Sequence, residues 1–105
     1  MKYIKTYEQN NNEPQIGDYV ICTDQNPEVS EFTLNNVGKI VKYILMNNDR
    51  FPYKVKYKNV PVKLIDKGYI FDNNDIRKTS RDEIIHWSKN KKDLELILYT
   101  KKYNL

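Results

Sequence analysis

The residues of this sequence best suited to chemistry are lysines. Lys54, Lys56 and Lys58 alternate with Tyr53, Val55 and Tyr57, which is the period of two of a half-buried strand. Side chains so spaced share one face. Lys39 and Lys42, on a neighbouring run of β-formers, extend the stripe. Such a row can track a phosphate backbone, because each ammonium neutralises a phosphate and releases its counterion. The same row can serve as a solvated face that discourages edge-to-edge strand pairing. A second constellation is aromatic. Of nine tyrosines, Tyr53 and Tyr57 fall to the core by alternation. Tyr19 and Tyr43 fall on strand faces opposite Val20 and Ile44, and Phe51 sits in a loop. With Trp87 they are the aromatic residues open to a role in binding. Trp87 has a structural alternative, which is to anchor a helix to the sheet.

Catalytic groups are sparse. His86 is the only histidine and Cys22 the only cysteine. A structural zinc site takes four such ligands and a catalytic one usually three protein ligands, so neither a metal nor another cofactor is expected. Cys22 reads as a small buried hydrophobe and His86 as a surface or half-buried residue beside Trp87. A Cys–His nucleophilic pair has no supporting motif. The carboxylates Glu28, Glu31, Asp72, Asp75, Asp82 and Glu83 are scattered and suit turns and helix caps better than paired acid–base work. The three glycines, Gly17, Gly38 and Gly68, make no phosphate loop. The sequence thus predicts a protein without enzymatic activity.

The elements that must position these residues are mostly strands. Residues 1–14 form a polar lead-in with Asn10-Asn11-Asn12, in which Tyr3, Ile4 and Tyr7 suit an edge strand or one helical turn. Gly17-Asp18 opens a first strand at Tyr19–Thr23. Glu28 to Leu34 suits a short helical turn. Gly38, which can take φ > 0, opens a second strand to Leu45. Asn47-Asn48-Asp49 is a hairpin-sized turn, and Tyr53–Lys58 is the third strand. Val60-Pro61-Val62 is expected to be extended, Lys67-Gly68 a turn, and Tyr69–Phe71 and Asp75–Thr79 short strands. Ser80-Arg81-Asp82-Glu83 matches a capping box, so a helix is predicted over Arg81–Trp87. A second helix follows Asn90, with Leu94, Ile97 and Leu98 on one face, although Leu94–Leu98 also alternates as a strand would. The organisation expected is a lead-in over 1–14, a β-unit over 15–79 and a helical segment over 80–105 packed on it.

Composition sets bounds. The chain has 105 residues, one domain's worth, and enough to bury a core without disulfides. The single cysteine excludes an intramolecular disulfide and fits a reducing compartment. The opening MKYIKTYEQNNNE is too polar for a secretory leader, and no apolar run approaches the ~18 residues of a membrane span. A cytoplasmic protein with no membrane role is expected. The net charge is +4, from 18 basic and 14 acidic residues. Only Arg50, Arg77 and Arg81 are arginine, the residue that grips phosphates and guanine edges bidentately. Richness in Lys, Asn, Ile and Tyr is also what an AT-rich genome encodes.

Gly17-Asp18-Tyr19-Val20, Gly38-Lys39-Ile40-Val41 and Tyr53-Lys54-Val55-Lys56-Tyr57 resemble the first three strands of SH3-like small barrels, nearest the KOW, Tudor and Mind-bomb/Herc-like domains. The resemblance covers residues 16–58 and departs after the third strand, where Lys63–Asn74 intervenes. It implies a mainly β, α+β fold: a partly open five-stranded SH3-like barrel with a C-terminal helical extension. In style the chain also resembles small accessory proteins of phages and large DNA viruses. Together these imply a non-enzymatic module that binds a protein partner, with Tyr19, Tyr43, Phe51 and Trp87 at the contact. The alternative is a nucleic-acid-binding barrel using Lys39, Lys42, Lys54, Lys56 and Lys58.

Overall fold

A computed structural model describes residues 13–45, 50–66 and 75–103. The chain enters through a tight turn in which Asp18 N–H donates to the Gln15 carbonyl at 2.9 Å and Gln15 N–H donates to Asp18 Oδ2 at 2.8 Å. Gly17 sits at φ +95°, a conformation that a Cβ disfavours. Strand β1 (Tyr19–Cys22) follows. Helix α1 (Pro27–Thr33) starts where Asn26 Oδ1 accepts from the N–H groups of Glu28 and Val29, with proline in the first turn. That is the arrangement capping chemistry favours. Its buried Thr33 hydroxyl donates to the Cys22 carbonyl at 2.8 Å, pinning the helix to β1. Strands β2 (Gly38–Tyr43), β3 (Tyr53–Lys56) and β4 (Ile76–Thr79) continue, with helix α2 (Val62–Asp66) after β3. A 3-10 turn (Arg81–Glu83), strand β5 (Ile84–Ser88) and helix α3 (Lys91–Tyr103) complete the order.

The fold is α+β and mostly strands: one five-stranded antiparallel sheet in the order β4-β3-β2-β1-β5. Directly paired residues share a face, so the register assigns each side chain a side. Val20, Cys22, Ile40, Tyr53, Val55, Tyr57 and Ile84 fall on one side and, with Val29, Val60 and Leu64, form the core. The alternation expected of Tyr53, Val55 and Tyr57 is what the structure has: all three are buried, while Lys56 and Lys58 are exposed and Lys54 half-exposed. On the opposite side, α3 packs on β5 and β1. There Ile21 and Leu94 are buried outside the main core.

Several expectations are corrected. Arg81–Trp87 is not a helix. The capping residues close a single 3-10 turn, in which Ser80 N–H donates to Glu83 Oε1 at 2.9 Å and Glu83 N–H donates to the Ser80 carbonyl at 3.1 Å. The chain then becomes β5, because Ile84-Ile85-His86-Trp87 is a run of β-formers beside the open edge of β1. The sheet therefore crosses position 79, and only Lys91–Tyr103 of the expected C-terminal helical segment is α-helix. Helix α2 begins at Val62, inside the stretch expected to be extended. Gly38 has no positive φ; it is glycine because a Cβ there would lie 2.5 Å from Val55 Cγ1 and 2.7 Å from Tyr57 Cε2. The predicted elements at residues 1–12, 47–49 and 67–71 lie outside the described residues. Among the described residues no helix is long and apolar enough to cross a membrane.

Candidate functional site

The face of the sheet opposite the core carries the lysines. Lys39 pairs with Lys56, and Lys42 with Lys54, across β2 and β3. Lys54 pairs in turn with Lys78 across β3 and β4. Two rows result, one of two lysines and one of three, separated by two residues along β3, or about 6.6–6.8 Å of strand rise. Like charges directly opposite one another destabilise a sheet. No described carboxylate pairs with any of these five. The acidic groups bonded elsewhere hold other partners: Asp24 takes both Nε and Nη2 of Arg77 at 2.9 and 3.0 Å, and Asp18 takes Lys89 at 3.2 Å. Four of the five lysines were legible in the sequence. Lys78 was not, because only the β3–β4 register sets it beside Lys54.

A groove of about 510 Å³ adjoins the first row, lined by Tyr19, Lys39, Lys56, Lys58, Lys91 and Leu98 among others. Tyr19 pairs with Lys39 on one side and Ser88 on the other, so its ring belongs to the lysine face. Lys39 Nζ lies 5.5 Å from the centre of that ring. Helix α3 forms a wall, where Lys91 Nζ is 3.9 Å from Glu95 Oε2, and Glu95 is the one carboxylate of the lining among the described residues. Asn35 and Asn36, also in the lining, donate side-chain N–H bonds to the Glu31 and Phe32 carbonyls at 2.6 and 2.9 Å. Lys58, beyond the end of β3, thus joins Lys39 and Lys56 in one cleft, and Lys91, which sequence reading had passed over, faces them from the helix.

The four aromatic candidates are not gathered in one groove. Tyr19 is on the lysine face. Tyr43 pairs with Tyr53 on the core side, their ring centres 4.9 Å apart, and lines a separate groove of about 650 Å³ with Pro14 and Ile16. Phe51 lines a third depression with Thr23, Arg50 and Arg81. Trp87, paired with Val20, packs against the core, and the Arg81 guanidinium lies 4.5 Å from its ring centre. Trp87 is therefore part of the sheet it was expected to anchor a helix to.

Cys22 and His86 are on opposite faces. The β1–β5 register sets Cys22 beside Ile84 and His86 beside Ile21, with a bulge between. Burial pushes the Cys22 thiol up to about 12, only partly opposed by its hydrogen bond to Tyr57, and burial likewise raises the Tyr57 phenol well above its usual value. A thiol so shifted stays protonated at neutral pH and is a poor nucleophile. Of the carboxylates, Glu28 and Glu31 lie on α1 and Asp82 and Glu83 in the 3-10 turn. Asp75 holds a positive φ before β4, and Asp72 is outside the described residues. Among the described residues no group of three or more His, Cys, Asp or Glu side chains is placed to hold a metal ion.

Comparison of the chain with protein-family models, with curated proteins and with solved structures gave no match in any of the three.

Proposed function

We propose that this protein is a non-enzymatic binding module whose ligand surface is the lysine face, and that the ligand is the phosphate backbone of a nucleic acid. The observation that carries this reading is the set of like-charged cross-strand pairs, Lys39–Lys56, Lys42–Lys54 and Lys54–Lys78. Protection of a sheet edge explains charges on edge strands, but β2 and β3 are interior strands in the order β4-β3-β2-β1-β5. Opposed ammonium groups raise the energy of the free protein, and a polyanion relieves that cost on binding. Lysine contacts phosphates as a flexible point charge, and phosphate contacts position a protein without carrying sequence information.

The fold reading that accompanies this is a partly open SH3-like barrel. Its support is the strand order: β1 to β4 form a meander, and β5 returns beside β1 after a 3-10 turn.

The test is fluorescence anisotropy with short labelled oligonucleotides at several salt concentrations. If all five lysines of the two rows engage single-stranded phosphates, the slope of log affinity against log salt is about −3.5. Each Lys→Gln change at Lys42, Lys54 or Lys56 should make it shallower by about 0.7. Absence of binding to any polyanion at low salt would defeat the proposal. A second reading, a protein partner, is favoured by the groove at Tyr43, where Ile16 is 59% and Tyr43 42% exposed. It would replace the first if partner capture were insensitive to salt and lost in Tyr43→Ala.

A further inference from the structure

The groove beside the lysine rows has features that phosphate contacts do not require. Resting on the reading above, we infer that it is a nucleobase subsite, and that the protein therefore prefers single-stranded to duplex nucleic acid. Tyr19 is the one aromatic residue of the lining among the described residues, and the strand register sets it in line with Lys39 and Lys56, the first lysine row. A base seated there lies beside the first lysine row. The ring lies on the same side of the sheet as the charges, with Lys39 Nζ 5.5 Å from its centre, whereas Tyr43 and Trp87 lie on the core side. Leu98 adds an apolar wall from α3, and Lys58 and Lys91 supply cations at the rim. At about 510 Å³ the groove falls in the usual range for small-molecule sites.

An aromatic ring can stack only on a base with a free π-face. In a duplex interior both faces of each base are already stacked on neighbours, so the ring is of use only to an unpaired base. The exposed lysine surface is moreover the face of a sheet, not a helix or two-stranded ribbon projecting as elements that enter a major groove do. Charge alone would favour the denser charge of the duplex and leave the protein indifferent between a single strand and a base-free polyanion of equal charge. The aromatic groove breaks that indifference.

The experiment measures affinity for three probes of matched length: a single-stranded oligodeoxynucleotide, the corresponding duplex, and inorganic polyphosphate, which has no bases. The full chain is used as wild type, Tyr19→Phe, Tyr19→Ala and Tyr19→Leu. The leucine variant keeps the bulk of this half-buried position in case alanine unfolds the protein. Wild type and Tyr19→Phe should bind the single strand at least about 10-fold more tightly than the other probes, and removal of the ring should cost about 10-fold, within the range of one base–aromatic stack. Polyphosphate affinity should be unchanged in every Tyr19 variant. Equal affinity of wild type for single strand and polyphosphate, or no loss in Tyr19→Leu, would overturn the base subsite and leave the lysine-face reading standing. Failure of wild type to bind any of the three probes would remove both.

Discussion

Lys54 is the centre of the lysine lattice, and replacing it should strengthen the fold while weakening the function. It is opposed by Lys42 on one side and Lys78 on the other, so Lys54→Gln removes two repulsive pairs at once. Cross-strand pairs contribute roughly 0.2–1 kcal/mol each. The groups are partly or wholly exposed, and solvent screening puts the gain toward the lower half of that range. Two pairs then give about 0.5–1 kcal/mol of added stability at low salt. The Debye length shrinks from about 30 Å at 0.01 M to about 10 Å at 0.1 M, so the gain should diminish as salt is raised. Urea unfolding at 10 mM and 500 mM salt measures both. With a slope of 1–3 kcal/mol/M, the low-salt midpoint should rise by roughly 0.2–1 M. Lys58→Gln is the control. It removes the same charge from a residue beyond the end of β3 that no paired lysine opposes, and should leave the midpoint near the wild-type value. If Lys54→Gln and Lys58→Gln behave alike, or if Lys54→Gln destabilises the fold, the lattice carries no stored repulsion and the central argument for a polyanion ligand is lost.

Two further outcomes follow from the core. Gly38→Ala should destabilise by about 1–3 kcal/mol, the usual cost of overpacking, because the new Cβ would lie 2.5 Å from Val55 and 2.7 Å from Tyr57; Val55→Ala in the same chain should recover part of it, and a denaturation midpoint unmoved by Gly38→Ala would disprove the close approach. Stability should also fall in alkali, because the Cys22 thiol titrates near 9 when unfolded and near 12 when folded. Below 9 the thiol is protonated in both states and adds no pH dependence. Between these values the unfolded chain loses the proton while the native state keeps it, so stability declines by up to about 1.4 kcal/mol per pH unit for this group, with Tyr57 acting in the same direction. Cys22→Ala should show a shallower decline, and equal slopes for the two proteins between pH 9.5 and 11 would contradict the assignment.

What the sequence determined by itself was local and periodic. Alternation over Tyr53–Lys58 was enough to divide core from surface, because a strand's side chains switch faces at every residue. The turn at Gly17-Asp18, the strands near residues 19, 38, 53 and 76, the short helix after Pro27 and the helix after Asn90 all carry their own signals. What the tertiary structure decided was pairing. Ser80-Arg81-Asp82-Glu83 has the signature of a helix start, yet the residues after it complete a sheet, since the open edge of β1 offers Ile84–Ser88 a ladder that an isolated turn of helix cannot match. Gly38 reads as a flexible opening to a strand, and only contact with Val55 and Tyr57 makes it a packing requirement. The four aromatic candidates look equivalent in sequence, but the register sends Tyr19 to one face and Tyr43 and Trp87 to the other. Lys78 and Lys91 carry no local mark of their place. They join the basic surface because strand register and helix docking bring distant segments side by side, and those long-range relations are what a one-dimensional period does not encode.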